Sequence, residues 1–320
     1  MKRRIKYILA VLAVFVMVFS CGTALCEENK EEPGYTGEFL DTRVPEQNYI
    51  FVKSALTVFS NRWGPAPRTE EEREGQVWDQ LLLSYEAFRR NIDVTQEEVD
   101  AEITNLLQEY KVEFDWKQDR ESFESWVKEK AGEPAELFEN QIRHLLQVEK
   151  LRRTIIESIQ PPVTEDEAYQ SFFDEYSSLS IELAQFDDKE EAEDFYRKAR
   201  RKPKLWDKGK EERPDAFRKP GFVSLQFLMD IWRLPKDAVH KMLKMRKGDL
   251  YGPSPIYKGY AVFQILEARQ ADKKEFAKVK ERYFDKVKRR KQHEGYNDWF
   301  KGFKEQANIK VYSKEGGQGE

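Results

Sequence analysis

Three histidines, two cysteines and a few adjacent carboxylates are the side chains from which acid–base, nucleophilic or metal chemistry would have to be built in this chain. His144, His240 and His293 each fall in a helix-like stretch among Lys, Arg or Gln. No two of them share a spacing suited to one metal ion, so solvated helix faces are expected for all three. Cys21 and Cys26 are followed by no further Cys, which leaves the rest of the chain without a disulfide, a catalytic thiol or a thiolate zinc site. Glu97-Glu98 and Glu190-Glu191 sit where helices open, and the positive end of the helix dipole accounts for them. There is no Gly-rich phosphate loop, no G-x-S-x-G and no nucleophile beside an evident base. No cofactor or metal is called for.

The elements that must position any site begin after a targeting segment. Lys2, Arg3, Arg4 and Lys6 precede an apolar run from Ile8 to Phe19, shorter than the ~20 residues that span a bilayer. Residues 1–26 therefore read as a signal peptide or a lipoprotein leader. Val18-Phe19-Ser20-Cys21 resembles a bacterial lipobox, which would make Cys21 the lipidated residue and give the protein a membrane anchor; ordinary cleavage near Ala24-Leu25-Cys26 is the alternative. Loss of the four leader cations takes the formal charge from -4 to -8, which disfavours nucleic acid as a partner. Residues 27–44 are acidic, rich in Gly and Pro and without periodicity, and are expected to form a flexible tether.

Helical spacing dominates from there to Tyr176. A first helix is expected over 46–62, and a second carries Trp78, Leu81, Leu82, Tyr85 and Phe88. Two related phrases, Val94-Thr95-Gln96-Glu97-Glu98 and Val163-Thr164-Glu165-Asp166-Glu167, place a Glu three residues after a Thr, the pattern of a reciprocal helix cap. Between them lie a short helix with Phe123 and Trp126 and a long one with Phe138, Ile142, Leu145, Val148, Leu151 and Ile155 on one side. After Tyr176 the texture changes to α+β. Strands are expected over 179–186 and 260–266, helices over 189–200 and 236–244, and a charged loop over 201–220. A last helix over 273–306 has Phe276, Val279, Tyr283 and Val287 on one face and is expected to fold back onto the earlier helices. Its ten Lys or Arg between 273 and 291, against three acids, are expected to face the acidic N-terminal lobe. Residues 307–311 suit a final strand, and 313–320 a frayed tail.

The segment Leu81 to Val99, the second Val163-Thr164 phrase, Lys247-Gly248-Asp249-Leu250-Tyr251-Gly252-Pro253 and Gly259-Tyr260 together resemble the extracytoplasmic folding factors of the SurA, PpiD and PrsA type. The resemblance implies an α+β protein with a mainly helical chaperone lobe, residues 45–175 and 271–312, and a small parvulin-like domain inserted at 176–270. It also implies a groove for an extended or proline-containing peptide, to which Phe222, Leu225, Met229, Trp232 and Tyr260 would contribute; core packing explains the same residues. Active domains of this type carry a His early in the first strand and another directly after the Gly-Tyr of the last. Here 179–188 contains no His and the second position is Ala261. The resemblance thus implies a periplasmic chaperone for unfolded exported polypeptides, some of them outer-membrane ones, with a weak or inactive isomerase domain. An active prolyl isomerase and a lipid-anchored scaffold for one partner are the alternatives.

Overall fold

The structure is a computed structural model that describes residues 34–59 and 66–312. Cys21 and the rest of the expected leader, like the tail at 313–320, lie outside the described residues. The described chain forms two compact units, one of 34–81 with 308–312 and one of Leu82–Ala307.

In the first unit, β1 (Tyr35–Phe39) and β2 (Thr42–Pro45) form a hairpin closed by Leu40 and Asp41, with φ of 48° and 56°. A two-residue turn needs positive φ at both positions to follow the twist of its strands. β7 (Lys310–Val311) pairs with the other edge of β1, in the order β2-β1-β7. Gly37 permits this approach, because a Cβ there would run into the Lys310 carbonyl and lie 2.6 Å from the Trp78 ring. The expected tether over 27–44 is therefore corrected for its described part. Phe39 and Val44 are buried, and Glu38 accepts hydrogen bonds from Lys310 at 2.7 Å and from Tyr312 at 2.9 Å. A strand whose partner lies 272 positions away leaves no local signal. α1 (Glu46–Val58) stops short of the expected end at Arg62. Lys53 joins it to α2 (Glu70–Arg89) through Glu70 at 3.1 Å and Glu74 at 2.8 Å.

In the second unit, α3 (Gln96–Glu109) and α6 (Glu165–Tyr176) start at the two repeated phrases. Glu98 and Glu167 each donate a backbone N–H to the Thr hydroxyl at 3.3 Å, and their carboxylates accept the Thr95 and Thr164 N–H at 2.8 and 2.9 Å. Two otherwise free amides are satisfied at each start. α4 (Arg120–Ala131) and α3 pack on α5 (Ala135–Ser158), whose buried side carries Phe138, Ile142, Leu145, Val148, Leu151 and Ile155. Gln147, Lys150 and Arg143 of α5 donate to the carbonyls of Ile92, Asp93 and Val94 at 2.8, 2.7 and 3.0 Å, which fixes the turn before α3.

The last helix, α11 (Lys273–Ala307), folds back as expected. Phe276 and Tyr283 pack with Ala168 and Phe172 of α6, and Tyr296 packs with Leu83, Ala87, Val148, Leu151 and Ile155. Val287 is buried as well, while Val279 is half-buried. The cations of α11 meet the acids of α6: Lys280 with Glu165 at 2.6 Å, Lys286 with Glu175 at 2.5 Å and Lys291 with Glu167 at 2.5 Å.

Between α6 and α11 comes an antiparallel sheet of β3 (Ser178–Phe186), β4 (Phe217–Ser224), β5 (Leu250–Pro255) and β6 (Tyr260–Arg269), in the order β4-β3-β6-β5. α7 (Lys189–Arg201) and α8 (Lys204–Glu212) cover one face; α9 (Leu225–Asp230) and α10 (Lys236–Leu243) cover the other. The chain is thus α+β. The expected loop over 201–220 is corrected to α8, a 3-10 turn at Pro214–Ala216 and the start of β4. Trp206, 1% exposed, holds that segment in place.

Two of the three histidines depart from the expected solvated faces. His144 lies half-buried with its ring nitrogens 3.3 and 3.4 Å from the Ser84 hydroxyl, and burial pushes its pKa down to about 4. His240 Nε2 is 2.7 Å from the buried Asp174, which also accepts from Gln170 at 2.8 Å and pairs with Lys236 at 3.3 Å. These contacts join α6 to α10. His293 is exposed.

Candidate functional site

The alternation of β3 and β6 decides which side chains any site on the sheet can use. Leu179, Ile181 and Leu183 of β3 and Ala261, Phe263 and Ile265 of β6 point to the face covered by α9 and α10, and all are buried. Ala184, Phe186 and Val262 point to the other. The register sets Ala261 between Gln185 of β3 and Ser254 of β5, and Phe263 beside Tyr251. Gln185 gives its side-chain amide to the Lys258 carbonyl at 3.0 Å. The position at which the resemblance expects a histidine is therefore an alanine with no exposed surface.

The covering segment is shaped by its own sequence. Ser224 accepts the Phe227 N–H at 3.1 Å and starts α9. Leu225 and Leu228, three apart, turn inward and are fully buried. Phe227 and Ile231, four apart, are left on the outer side, 41% and 55% exposed. The chain then reverses through Arg233, with φ of 59°, while Leu234 donates its N–H to the Leu228 carbonyl at 3.2 Å. That reversal lays Trp232 over Phe263, with ring centroids 5.9 Å apart and planes 27° apart, and sets Phe227 against its edge at 6.1 Å.

Phe227, Trp232 and Phe263 thus form an aromatic row, and Tyr251 extends it as the cross-strand partner of Phe263. Phe263 is the buried base, Trp232 and Tyr251 are half-buried, and Phe227 is open to solvent beside Ile231. Met229, Met245 and Ile256 pack half-buried against the same core. The Lys241 ammonium lies 5.8 Å from the Tyr251 ring centroid, within cation–π range. A surface of this kind can hold apolar and aromatic side chains; it offers no nucleophile and no acid–base pair.

The five residues expected at a peptide groove do not converge. Met229 and Trp232 belong to the aromatic shelf, and Leu225 lies beneath it in the core. Tyr260 packs on the opposite face with Trp206, Phe195 and Phe217. Phe222, 41% exposed, lies under the Arg269 guanidinium, which is 3.7 Å from its centroid. Phe227, Ile231 and Tyr251 were not among the expected residues. The signal for the first two is the helical spacing of 225–231, which sends two apolar pairs to opposite sides.

On that opposite face the buried Glu182 accepts hydrogen bonds from Trp206 Nε1 at 2.8 Å and from Lys210. Burial pushes its carboxyl up, but Lys210 and Trp206 outweigh this and hold it below the usual carboxylate range. With both oxygens occupied, Glu182 ties α8 to the sheet.

No family model and no curated protein matches the chain. Among solved structures it is similar to the peptidylprolyl isomerase PrsA of Bacillus anthracis, at 14% identity and a TM-score of 0.44, over 74% of this chain and 98% of that one. A SurA-like chaperone of Campylobacter jejuni matches at 14% identity and a TM-score of 0.39, over 87% of this chain and 99% of that one. The foldase protein PrsA of Streptococcus pneumoniae matches at 17% identity and a TM-score of 0.32, over 86% and 94%.

Proposed function

We propose that the chain is a chaperone for exported polypeptides, which holds extended apolar segments on the shelf of Phe227, Ile231, Trp232 and Tyr251. The observation that carries this reading is the exposure of Phe227 and Ile231 on one side of α9, next to the half-buried Trp232 that stacks on Phe263. Large apolar side chains exposed together cost free energy in water, and covering them with a client's side chains recovers it at ~25 cal/mol per Å². Residues 176–270 act as the peptide-binding domain, inserted in a helical body that includes α11. The leader directs export, with Cys21 as the lipid-attachment residue, which places the protein on a membrane facing unfolded clients, outer-membrane polypeptides among them.

On this reading the sheet domain accelerates proline isomerisation poorly. Rotation about the X-Pro bond must cross ~20 kcal/mol, and an enzyme lowers that barrier through polar groups set against the twisted amide. The side chains beside Ala261 are an amide already engaged and a buried Ser254. The test is suppression of aggregation of an unfolded, aromatic-rich protein, with tetrapeptide isomerisation followed in parallel. The purified protein is expected to suppress aggregation at near-stoichiometric ratios, and Phe227→Ser with Ile231→Ser to lose most of that effect while keeping the melting temperature. Undiminished suppression by the double variant would reject the shelf as the binding site. Robust isomerase turnover would favour the alternative, an active prolyl isomerase.

A further inference from the structure

The shelf has a charged rim that the proposed function does not use. Between Leu225 and Asp249 there are six Lys or Arg and three Asp, in a chain whose 59 acids outnumber its 55 Lys and Arg. Lys236 is spent on Asp174 at 3.3 Å. Arg233, Lys241, Lys244, Arg246 and Lys247 are all exposed and, among the described residues, form no ion pair. Three cations of α11, by contrast, meet carboxylates of α6. Asp230, Asp237 and Asp249 keep their charges, and the five cations that remain after Lys236 leave the stretch net positive by two (5 minus 3).

Position makes the imbalance specific to the shelf. Arg233 follows Trp232 directly, at the reversal that lays the indole over Phe263. Lys241 lies over Tyr251. A cation without an ion pair thus stands over Tyr251 and another follows Trp232 in the chain, with Lys244, Arg246 and Lys247 on the stretch that leads to β5.

We infer that the shelf selects extended segments in which aromatic or large aliphatic residues are flanked by Asp or Glu. The inference rests on the shelf being the peptide site and adds the class of client it takes. The aromatic side chains of such a segment lie along Phe227, Trp232 and Tyr251, and its carboxylates reach Arg233 beside Trp232 and Lys241 beside Tyr251. Exposed charge pairs contribute modestly and are screened by salt, so their mark is a salt-dependent preference laid over a salt-tolerant apolar affinity.

The experiment uses the full chain and three labelled peptides with one aromatic core, flanked by Glu, Ser or Lys, with binding read by fluorescence anisotropy at low and high salt. At low salt the Glu-flanked peptide is expected to bind on the order of five- to tenfold more tightly than the Ser-flanked one, and the Lys-flanked one more weakly than either. High salt should collapse the ranking, and so should Arg233→Gln with Lys241→Gln. Phe227→Ser with Ile231→Ser should weaken all three peptides together. Equal binding of the three at low salt overturns the charge selection and leaves the chaperone reading standing. Failure of all three to bind overturns both. Sedimentation with phosphatidylglycerol vesicles that depends on Arg233 and Lys241, with peptides left unranked, overturns the inference in favour of a lipid surface.

Discussion

At the scale of the residue, Ala261 is the position on which the proposal of weak isomerase activity turns. It has no exposed surface and belongs to the core that carries the shelf. An imidazole placed there would have to displace packed neighbours. Ala261→His is therefore expected to lose about 1–3 kcal/mol of stability in urea unfolding and to gain no tetrapeptide isomerase activity. A stable variant with measurable turnover would mean that the face lacks only its histidine. Much of this site was open to sequence reading, since the absent histidines and the interest of Met229 and Trp232 need only the order of residues. Tyr260 was assigned to the wrong partners because strand alternation sets it opposite Ala261, and that parity becomes certain only when β6 is seen between β3 and β5.

At the scale of the element, the pairing of α6 with α11 is both a packing and an electrostatic contact. The Lys291 ammonium and the Thr164 backbone N–H hold the Glu167 carboxyl at about 2, against a usual 4.5. A carboxyl more acidic in the folded chain stabilises the fold above the unfolded-state pKa, and that contribution is lost as pH falls from about 4.5 to about 2. The melting-temperature gap between the native chain and Glu167→Gln should be full above pH ~4.5 and should close toward pH ~2. A gap independent of pH would contradict the assignment.

Tyr283, fully buried among Phe172, Tyr176 and Phe276, tests the packing. Tyr283→Ala is expected to cost about 3 kcal/mol or more in urea unfolding, whereas a loss below about 1 kcal/mol would mean that α11 is not integral to the helical body. Elements with a local cause were legible: each Thr cap and the amphipathic faces of α5 and α11 are set by residues within a turn or two. The β1–β2 hairpin and α8 were not. The hairpin is ordered by β7 at the far end of the chain, and α8 by burial of a single Trp206 in an otherwise polar segment.

At the scale of the whole molecule, the α+β class followed from the change of periodicity near Tyr176. The grouping of 308–312 with 34–81 did not, because a two-residue strand has no pattern to read. If clients are held on the shelf of the α9 and α10 face, they must come within reach of Ile231. The most direct measurement replaces Ile231 with the photoreactive residue benzoylphenylalanine and, as a control, Lys198 on α7, then irradiates the full chain with an unfolded client. Ile231 is 55% exposed beside the aromatic row, and Lys198 is exposed on a helix of the opposite face. Strong crosslinking is expected from position 231, competed away by an excess of aromatic peptide, with little from position 198. Equal yields from the two positions, or a yield at 231 indifferent to the competing peptide, would contradict binding at the shelf.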